Sequence, residues 1–577
     1  MIKNAIELHQ AGQLRQAKAQ YREILNSQPD HPDALHLYGL VCHQLGDHET
    51  AIRYIRKAVE RVPAQAVLRN NLGDALHRAG QIDEAVQQLN IALELRPGYA
   101  GAHQNLSSIY LKTGSHELAL SHCKRACELD EGRPEAWFNL GLCYLDHVLL
   151  EDCVEAFRKA LALRPDYQAA VTSLIYVLNL LPDSSPKAVS EETRRVATAA
   201  FTKAPVTSVQ PTSRQRIASE PIRIGYVSGD FCRHAVNYFF EPVIEHHDKS
   251  AFEVYCYADV VKPDDATARL QANTAHWRDI LGCSDSELMS QVQTDRIDIL
   301  VDLAGYTRHN RLQAFARQSA PVQLSWLGFP NTSGLPAMHF RIVDSTTFPS
   351  DEADMGTETL IRMPTGFACF RPPAQAPQVL DAPCLKNGYI TLGSLHKLEK
   401  LNPQVIELWA DVLRENPNTR LVLARDQLDE WHQARLQGLF SQHNIALERL
   451  QMLELDAQGQ SFFELFAGID ILLDVFPWSG HTLACCALWM GVPVVSISGN
   501  SHAGRMVASV LNSLGLNEWV AADGATYVGI IKKLCSDPSQ LIITRRELRQ
   551  RFSRSSLRDE ISFTRQLESQ YRRILNF

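Results

Sequence analysis

A chain of 577 residues is too long for one hydrophobic core and calls for three or four domains. Its 45% hydrophobic and 21% charged residues, with no apolar run long enough to span a bilayer, exclude a disordered chain and a membrane helix. A formal charge of -8 argues against a nucleic-acid binder, while leaving room for a local basic pocket. The thirteen cysteines are scattered without CxxC pairs and read as small buried hydrophobes, and the first thirty residues lack a secretory signal. The expected location is the cytoplasm.

The first third repeats with a period of 34 residues. Gly39, Gly73, Ser107 and Gly141 form one series. Gly12, Gly46, Gly80 and Gly114 form a second, with Val148 in the next slot, and Ala17, Ala51, Ala85 and Ala119 form a third that closes on Cys153. Small residues let two helices approach, the second series supplies the turn between them, and Pro29, Pro63, Pro97 and Pro165 stop each second helix. This is the tetratricopeptide layout: five helical hairpins from about residue 2 to 167 and a sixth first helix around Ala169 to Leu180. Asn71, Asn105 and Asn139 share one phase. They read either as a ladder of amides gripping an extended polypeptide or as spacers between neighbouring repeats.

After Leu181 the texture turns to Pro, Ser and Thr around a short helix expected at Lys187 to Lys203. From Ile222 short apolar runs alternate with helical segments, as in buried parallel strands. They are IRIGYVS, FEVYCYA, IDILVDLA, VQLSWLG and FRIVD, then, after RPPAQAPQ, GYITLGS, TRLVLAR, IDILLDVF and PVVSISG. The expected architecture is an α-solenoid followed by two Rossmann-like α/β domains facing one another, the GT-B arrangement. The boundaries are 1–181 for the repeats, 182–220 for a linker, 221–385 for the first α/β domain and 386–577 for the second.

One turn is suited to an anion on its own composition. Ser479-Gly480-His481-Thr482 follows a strand and opens an apolar helix, so backbone N–H groups and the helix dipole converge there.

Six blocks in the second half resemble the protein O-linked N-acetylglucosamine transferase family, glycosyltransferase family 41, including its Spindly O-fucosyltransferase branch. They are GYVSGDFCRHAVNYFF at 225–240, ILVDLAGYTRHNR at 299–311, APVQLSWLGFPNTSGLPAMHFRIVD at 320–344, GSLHKLEKLNPQVIELWADVL at 393–413, DILLDVFPWSGHTLACCALWMGVPVVS at 470–496 and SHAGRMVASVL at 501–511. The resemblance implies that Lys400 binds the donor phosphates, with Lys397 beside it, and that Gly480, His481 and Thr482 form the donor turn. It places His234 near sugar and acceptor, suited to proton handling or to holding a hydroxyl. Gly305, Tyr306 and Thr307 are expected near the cleft, and Asn331, Thr332, Ser333 and Gly334 in a loop facing the acceptor. His502 and Arg505 are candidates for donor phosphate contact, with an ordinary ion pair as the other reading of Arg505.

Three places depart from the family pattern. Leu483 replaces a second threonine of the donor turn, and Cys486 stands where an acidic residue holds the ribose. Ser461, Phe462 and Phe463 replace a base-contacting histidine, and an aromatic ring there can stack on the base instead.

The resemblance implies transfer of N-acetylglucosamine from UDP-GlcNAc to Ser or Thr of a polypeptide by inversion. Fucose transfer from GDP-fucose is the nearest alternative, and a repeat scaffold with a decayed catalytic half is the alternative from another class. No cofactor or metal is expected, because the sequence offers no Asp-x-Asp at a strand end and no His/Cys cluster with ligand spacing. Expected partners are a polypeptide held by the repeats and a nucleotide sugar, without nucleic acid or membrane. The sequence sets no oligomeric state.

Overall fold

The structure is a computed structural model that describes residues 1–201, 220–352, 355–455 and 462–575. It divides into two compact units, Met1–Arg164 and Pro165–Phe577.

The first unit is ten helices in five antiparallel hairpins, from Ile2–Gln10 with Leu14–Ser27 to Pro134–Asp146 with Leu150–Leu163. The two glycine series do different work. A Cβ on Gly39 would stand 2.5 Å from Ile55, on Gly73 2.6 Å from Leu89 and on Gly141 2.4 Å from Phe157, so these positions carry the close helix approach. Gly12, Gly46, Gly80 and Gly114 adopt φ between +72° and +82°, and the first three have open space around them, so this series is chosen for backbone conformation. Val148 takes the same left-handed conformation in the fifth turn, at φ 55°.

The carboxamides of the asparagine series bond between repeats. Asn71 Nδ2 lies 2.8 Å from His36 Nε2, Asn105 Nδ2 donates to Asn70 Oδ1 at 3.0 Å, and Asn139 Nδ2 donates to Ser108 Oγ at 2.8 Å. These bonds join neighbouring repeats. A peptide ladder would require these bonds to be exchanged.

The second unit begins with the helices Gln168–Leu178 and Pro186–Phe201, followed by two parallel sheets. The expected linker helix is thus present at Pro186–Phe201, while Thr202, Lys203 and most of the remaining linker lie outside the described residues. The first sheet contains β1 (Ile222–Ser228), β2 (Phe252–Ala258), β3 (His276–Asp279), β4 (Ile299–Asp302), β5 (Val322–Ser325), β6 (Phe340–Asp344) and β7 (Thr359–Met363). Their spatial order is β3-β2-β1-β4-β5-β6-β7, all parallel.

The second sheet contains β8 (Ile390–Ser394), β9 (Thr419–Arg425), β10 (Leu450–Glu454), β11 (Ile471–Leu473), β12 (Val494–Ile497) and β13 (Val520–Ala521), in the order β10-β9-β8-β11-β12-β13. Each sheet reverses direction of growth beside its first strand, and ligands bind at such switch points, outside the strand C-termini. The C-terminal helix Glu560–Leu575 returns to the first sheet. There Glu568 accepts from the Asp248 amide at 2.8 Å and lies 3.1 Å from His247, both groups fully buried. No helix among the described residues is long and apolar enough to cross a membrane.

Candidate active site

The loops after β1, β4, β5, β8, β9 and β11 enclose a cavity of about 1320 Å³ between the two sheets. This is more than a single drug-sized ligand needs, and it leaves room for a second group beside one.

Its floor is organised by Asp474, which ends the β11 segment and is 3% exposed. The carboxylate accepts from the Gly480 amide at 2.8 Å and the Ser496 hydroxyl at 2.6 Å, and lies 3.1 Å from His396 Nε2. His396 is clamped at its other nitrogen, 2.9 Å from Ser394 Oγ, and burial lowers its pKa. Three strand ends are thereby tied to one carboxylate. Only glycine fits the turn at 480, since a Cβ there would stand 2.4 Å from His396 Nε2.

The helix His481–Trp489 begins at this turn with Gly480 as its cap. The amides of its first turn have no acceptor within the helix, and they open at the cavity wall where Gly480, His481, Thr482 and Leu483 stand. The His481 ring lies between Phe239 and Phe367, each 4.7 Å away, and burial lowers its pKa to about 3. It is therefore a neutral imidazole at any working pH.

Lys400 faces the same space from the turn after β8. Its Nζ donates to the Trp478 carbonyl at 3.1 Å and sits 4.7 Å from the centre of the Trp478 ring. Burial drives its pKa down to about 8; Asp474 and Glu399 oppose the fall, and Lys397 and Arg425 add to it. A desolvated ammonium beside two further cations and a helix N-terminus suits a multivalent anion.

Across the cavity, His234 follows β1 on a loop held by Asn237, whose Nδ2 donates to the Asp230 carbonyl at 2.9 Å and also to that of Cys232. The imidazole is 48% exposed, with Nδ1 3.6 Å from Asp230 Oδ2. Burial raises the pKa of Asp230. Phe462, Phe463 and Tyr238 make an aromatic wall, with Phe463 and Tyr238 edge to face at 6.2 Å. Ser461 lies outside the described residues.

Of the residues expected from sequence, His234, Lys397, Lys400, Gly480, His481, Thr482 and Thr307 line the cavity. Four others do not. Arg505 makes a bidentate pair with Glu352, both bonds 2.7 Å, and donates to the Gly499 carbonyl, so its donors are spent on structure. His502 is 7% exposed, with its ring 5.2 Å from that of Phe367, behind the cavity wall and not part of its lining. Tyr306 is buried and donates to the Ser333 carbonyl at 2.6 Å, and Thr332 is buried and donates to Glu358 at 2.6 Å. The loop Asn331–Gly334 therefore turns inward: Ser333 also bonds Glu358, Asn331 donates to Asn179 Oδ1, and Gly334 packs on the backbone of Arg194. The acceptor contacts expected of Tyr306 and Thr332 are corrected accordingly.

Sequence reasoning missed Tyr176, His396, Arg425, Asp474 and Trp478. Four of the five stand at the end of an apolar strand or within five residues after it, a position that could have singled them out. Tyr176 carried no such signal, because it belongs to a helix in the repeat pattern.

The profile of glycosyl transferase family 41 matches residues 184–370 and 383–567, and tetratricopeptide profiles match 33–98, 70–134 and 134–167. The chain belongs to glycosyl transferase family 41. Among curated family 41 proteins it is 36% identical over 429 residues to a probable UDP-N-acetylglucosamine–peptide N-acetylglucosaminyltransferase SPINDLY of Oryza sativa subsp. japonica, covering 73% of this chain and 46% of that one. The Arabidopsis thaliana protein of the same name is 38% identical over 61% of this chain and 39% of its own length. The Arabidopsis thaliana SEC protein is 25% identical over 62% of this chain and 37% of its own. The chain thus spans less than half the length of these relatives. A lysine-to-methionine mutant of the Thermobaculum terrenum O-GlcNAc transferase superposes with a TM-score of 0.76 at 33% identity, over 88% of this chain and 97% of that one.

Proposed function

We propose that this family 41 chain is a protein O-glycosyltransferase that moves a sugar from a nucleotide diphosphate sugar to a Ser or Thr hydroxyl. The observation that carries the reading is the meeting of the Lys400 ammonium with the first turn of the helix His481–Trp489 at one open cavity wall. A pyrophosphate leaving the anomeric carbon gains charge as the bond breaks. Fixed N–H dipoles and a desolvated ammonium stabilise that charge more than the ground state.

Lys397 and Arg425 extend the positive field, so the side chains themselves supply charge neutralisation and the reaction runs without a divalent cation. His234, exposed on the facing wall beside Asp230, takes or holds the acceptor hydroxyl proton. Attack from the face opposite the leaving group gives inversion. Phe462 and Phe463 stack the base. The repeats bring the polypeptide acceptor, with Asn71, Asn105 and Asn139 exchanging their inter-repeat bonds for peptide backbone.

UDP-GlcNAc is the donor carried in the names of the relatives, and it is the first reading here. The second is GDP-fucose, favoured by one observation: the SPINDLY proteins match at 36–38% identity and SEC at 25%. An open cavity with its cationic wall in place stands against a decayed scaffold. The test is incubation of the whole chain with a polypeptide mixture and a panel of nucleotide sugars, with and without EDTA, read by mass spectrometry. Ser or Thr modified from UDP-GlcNAc, unaffected by EDTA, supports the first reading. Turnover with GDP-fucose alone replaces it with the second, and failure of every sugar nucleotide to turn over or to shift the melting temperature refutes the enzyme.

A further inference from the structure

The helix Gln168–Leu178 continues the repeat rhythm, yet it belongs to the C-terminal unit and sends one side chain into the wall of the cavity. That side chain is Tyr176. Its hydroxyl donates to Glu399 Oε1 at 2.9 Å and receives a hydrogen bond from Lys397 Nζ at 3.5 Å. Its ring stands 5.1 Å from Trp478, whose other neighbour is Phe329 at 6.0 Å, edge to face. Trp478 in turn supplies both the carbonyl and the ring face that hold Lys400.

Glu399 is the awkward member of this group, because it is a carboxylate next to Lys400 in the chain and 3.7 Å from Lys397 Nζ. A carboxylate free to rotate there competes with any incoming diphosphate for the two ammonium groups. A hydrogen bond from Tyr176 fixes it in one position, while the Tyr176 ring fixes the tryptophan beneath Lys400. We propose that Tyr176 is a positioning residue for the donor site: it pins Glu399 away from the diphosphate and holds Trp478 under Lys400. The proposal rests on the donor-site reading above and adds a control element from outside both sheets.

The test measures binding of UDP and of GDP to the full chain by calorimetry, for the wild type and for Tyr176→Phe, Glu399→Gln and the double variant. Phenylalanine keeps the ring contact with Trp478 and removes only the hydroxyl, so folding is preserved, and the melting temperature verifies this. A hydrogen bond to a charged group is strong enough that Tyr176→Phe should weaken diphosphate binding roughly tenfold. Glu399→Gln alone should bind at least as tightly as the wild type, and the double variant should return to within about twofold of Glu399→Gln. In turnover, Tyr176→Phe should raise KM for the donor with a smaller change in kcat.

Wild-type affinity in Tyr176→Phe overturns the proposal. So does a double variant as weak as Tyr176→Phe, since a loss that removing the carboxylate does not repair belongs to packing alone. If the wild type itself binds neither diphosphate, the donor-site reading fails and takes this inference with it, an outcome distinct from the other two.

Discussion

Replacing Lys400 with methionine should make the protein more stable and almost inactive. The substitution keeps the length and apolar stem of the side chain and removes the ammonium. Burial lowers the Lys400 pKa from 10.5 to about 8, and the difference corresponds to about 3 kcal/mol against holding the charged form in place. Against this stands the bond to the Trp478 carbonyl, worth about 1 kcal/mol, and the contact with its ring, worth about 0.5–1 kcal/mol. The net gain expected for Lys400→Met is about 1–2 kcal/mol, or roughly 2 °C in Tm of the C-terminal unit.

The pH dependence fixes the cause. The folded pKa lies below the unfolded one, so the folded state holds fewer protons between about pH 8 and 10.5, and wild-type stability rises across that window. The Tm advantage of Lys400→Met is therefore full below pH 8 and shrinks above it. Transfer moves the opposite way. Loss of a preorganised cation at the leaving group costs roughly 10²–10³ in kcat. In the wild type, kcat/KM for the donor should fall as pH rises through about 8, because the free enzyme loses its ammonium there. Calorimetric or fluorescence melting from pH 6 to 10, beside donor turnover, checks both. A Lys400→Met protein that is less stable than wild type, or whose Tm difference ignores pH, refutes the burial argument. Wild-type turnover refutes the assigned role.

Two further outcomes follow from the same geometry. Gly480→Ala places a methyl group 2.4 Å from a His396 nitrogen that Ser394 and Asp474 hold fixed, so the turn must shift. Stability should drop by about 1–3 kcal/mol and diphosphate affinity by roughly tenfold or more, measured by melting and calorimetry. Arg505→Ala should cost about 1–2 kcal/mol of stability through its bonds to Glu352 and Gly499, with diphosphate affinity within about twofold of wild type. A large loss of affinity with unchanged Tm would return Arg505 to the donor site.

The nine strands legible in the sequence are the buried ones, and the four that were not legible are β3, β7, β10 and β13, the two edges of each sheet. The reason is physical. A central parallel strand is covered on both faces and reads as an apolar run, as Ile299–Asp302 does with every residue buried. An edge strand such as His276–Asp279 or Leu450–Glu454 is half exposed and carries charges, so neither an apolar run nor an alternation survives. The repeats were legible for a complementary reason: the close approach at Gly39, Gly73 and Gly141 and the left-handed turns each demand one residue type at a fixed interval. The loop Asn331–Gly334 is placed toward the acceptor by resemblance, which carries no information on burial, and Glu358, 25 or 26 residues further on, collects the hydrogen bonds of Thr332 and Ser333 in the interior.

The same distinction between exposed and buried polar positions decides how much the two unusual residues of the donor helix matter. Leu483 stands at the cavity wall, so its apolar side chain removes a hydroxyl from the surface proposed to meet the donor. Cys486 does not reach that wall: it is fully buried in the apolar core, and burial pushes its thiol pKa up. A carboxylate in that environment would be an unpaired buried charge costing several kcal/mol, so the helix face that could hold a ribose in other sequences is here turned into packing. On the proposed reading, donor recognition in this chain falls to the diphosphate end, at Lys400 and the first turn after Gly480, and to the aromatic wall of Phe462, Phe463 and Tyr238, all of which line the cavity. If the proposed reading holds, such a site grips pyrophosphate and sorts sugars and bases by shape and stacking, so the nucleotide is tested with both a pyrimidine and a purine donor.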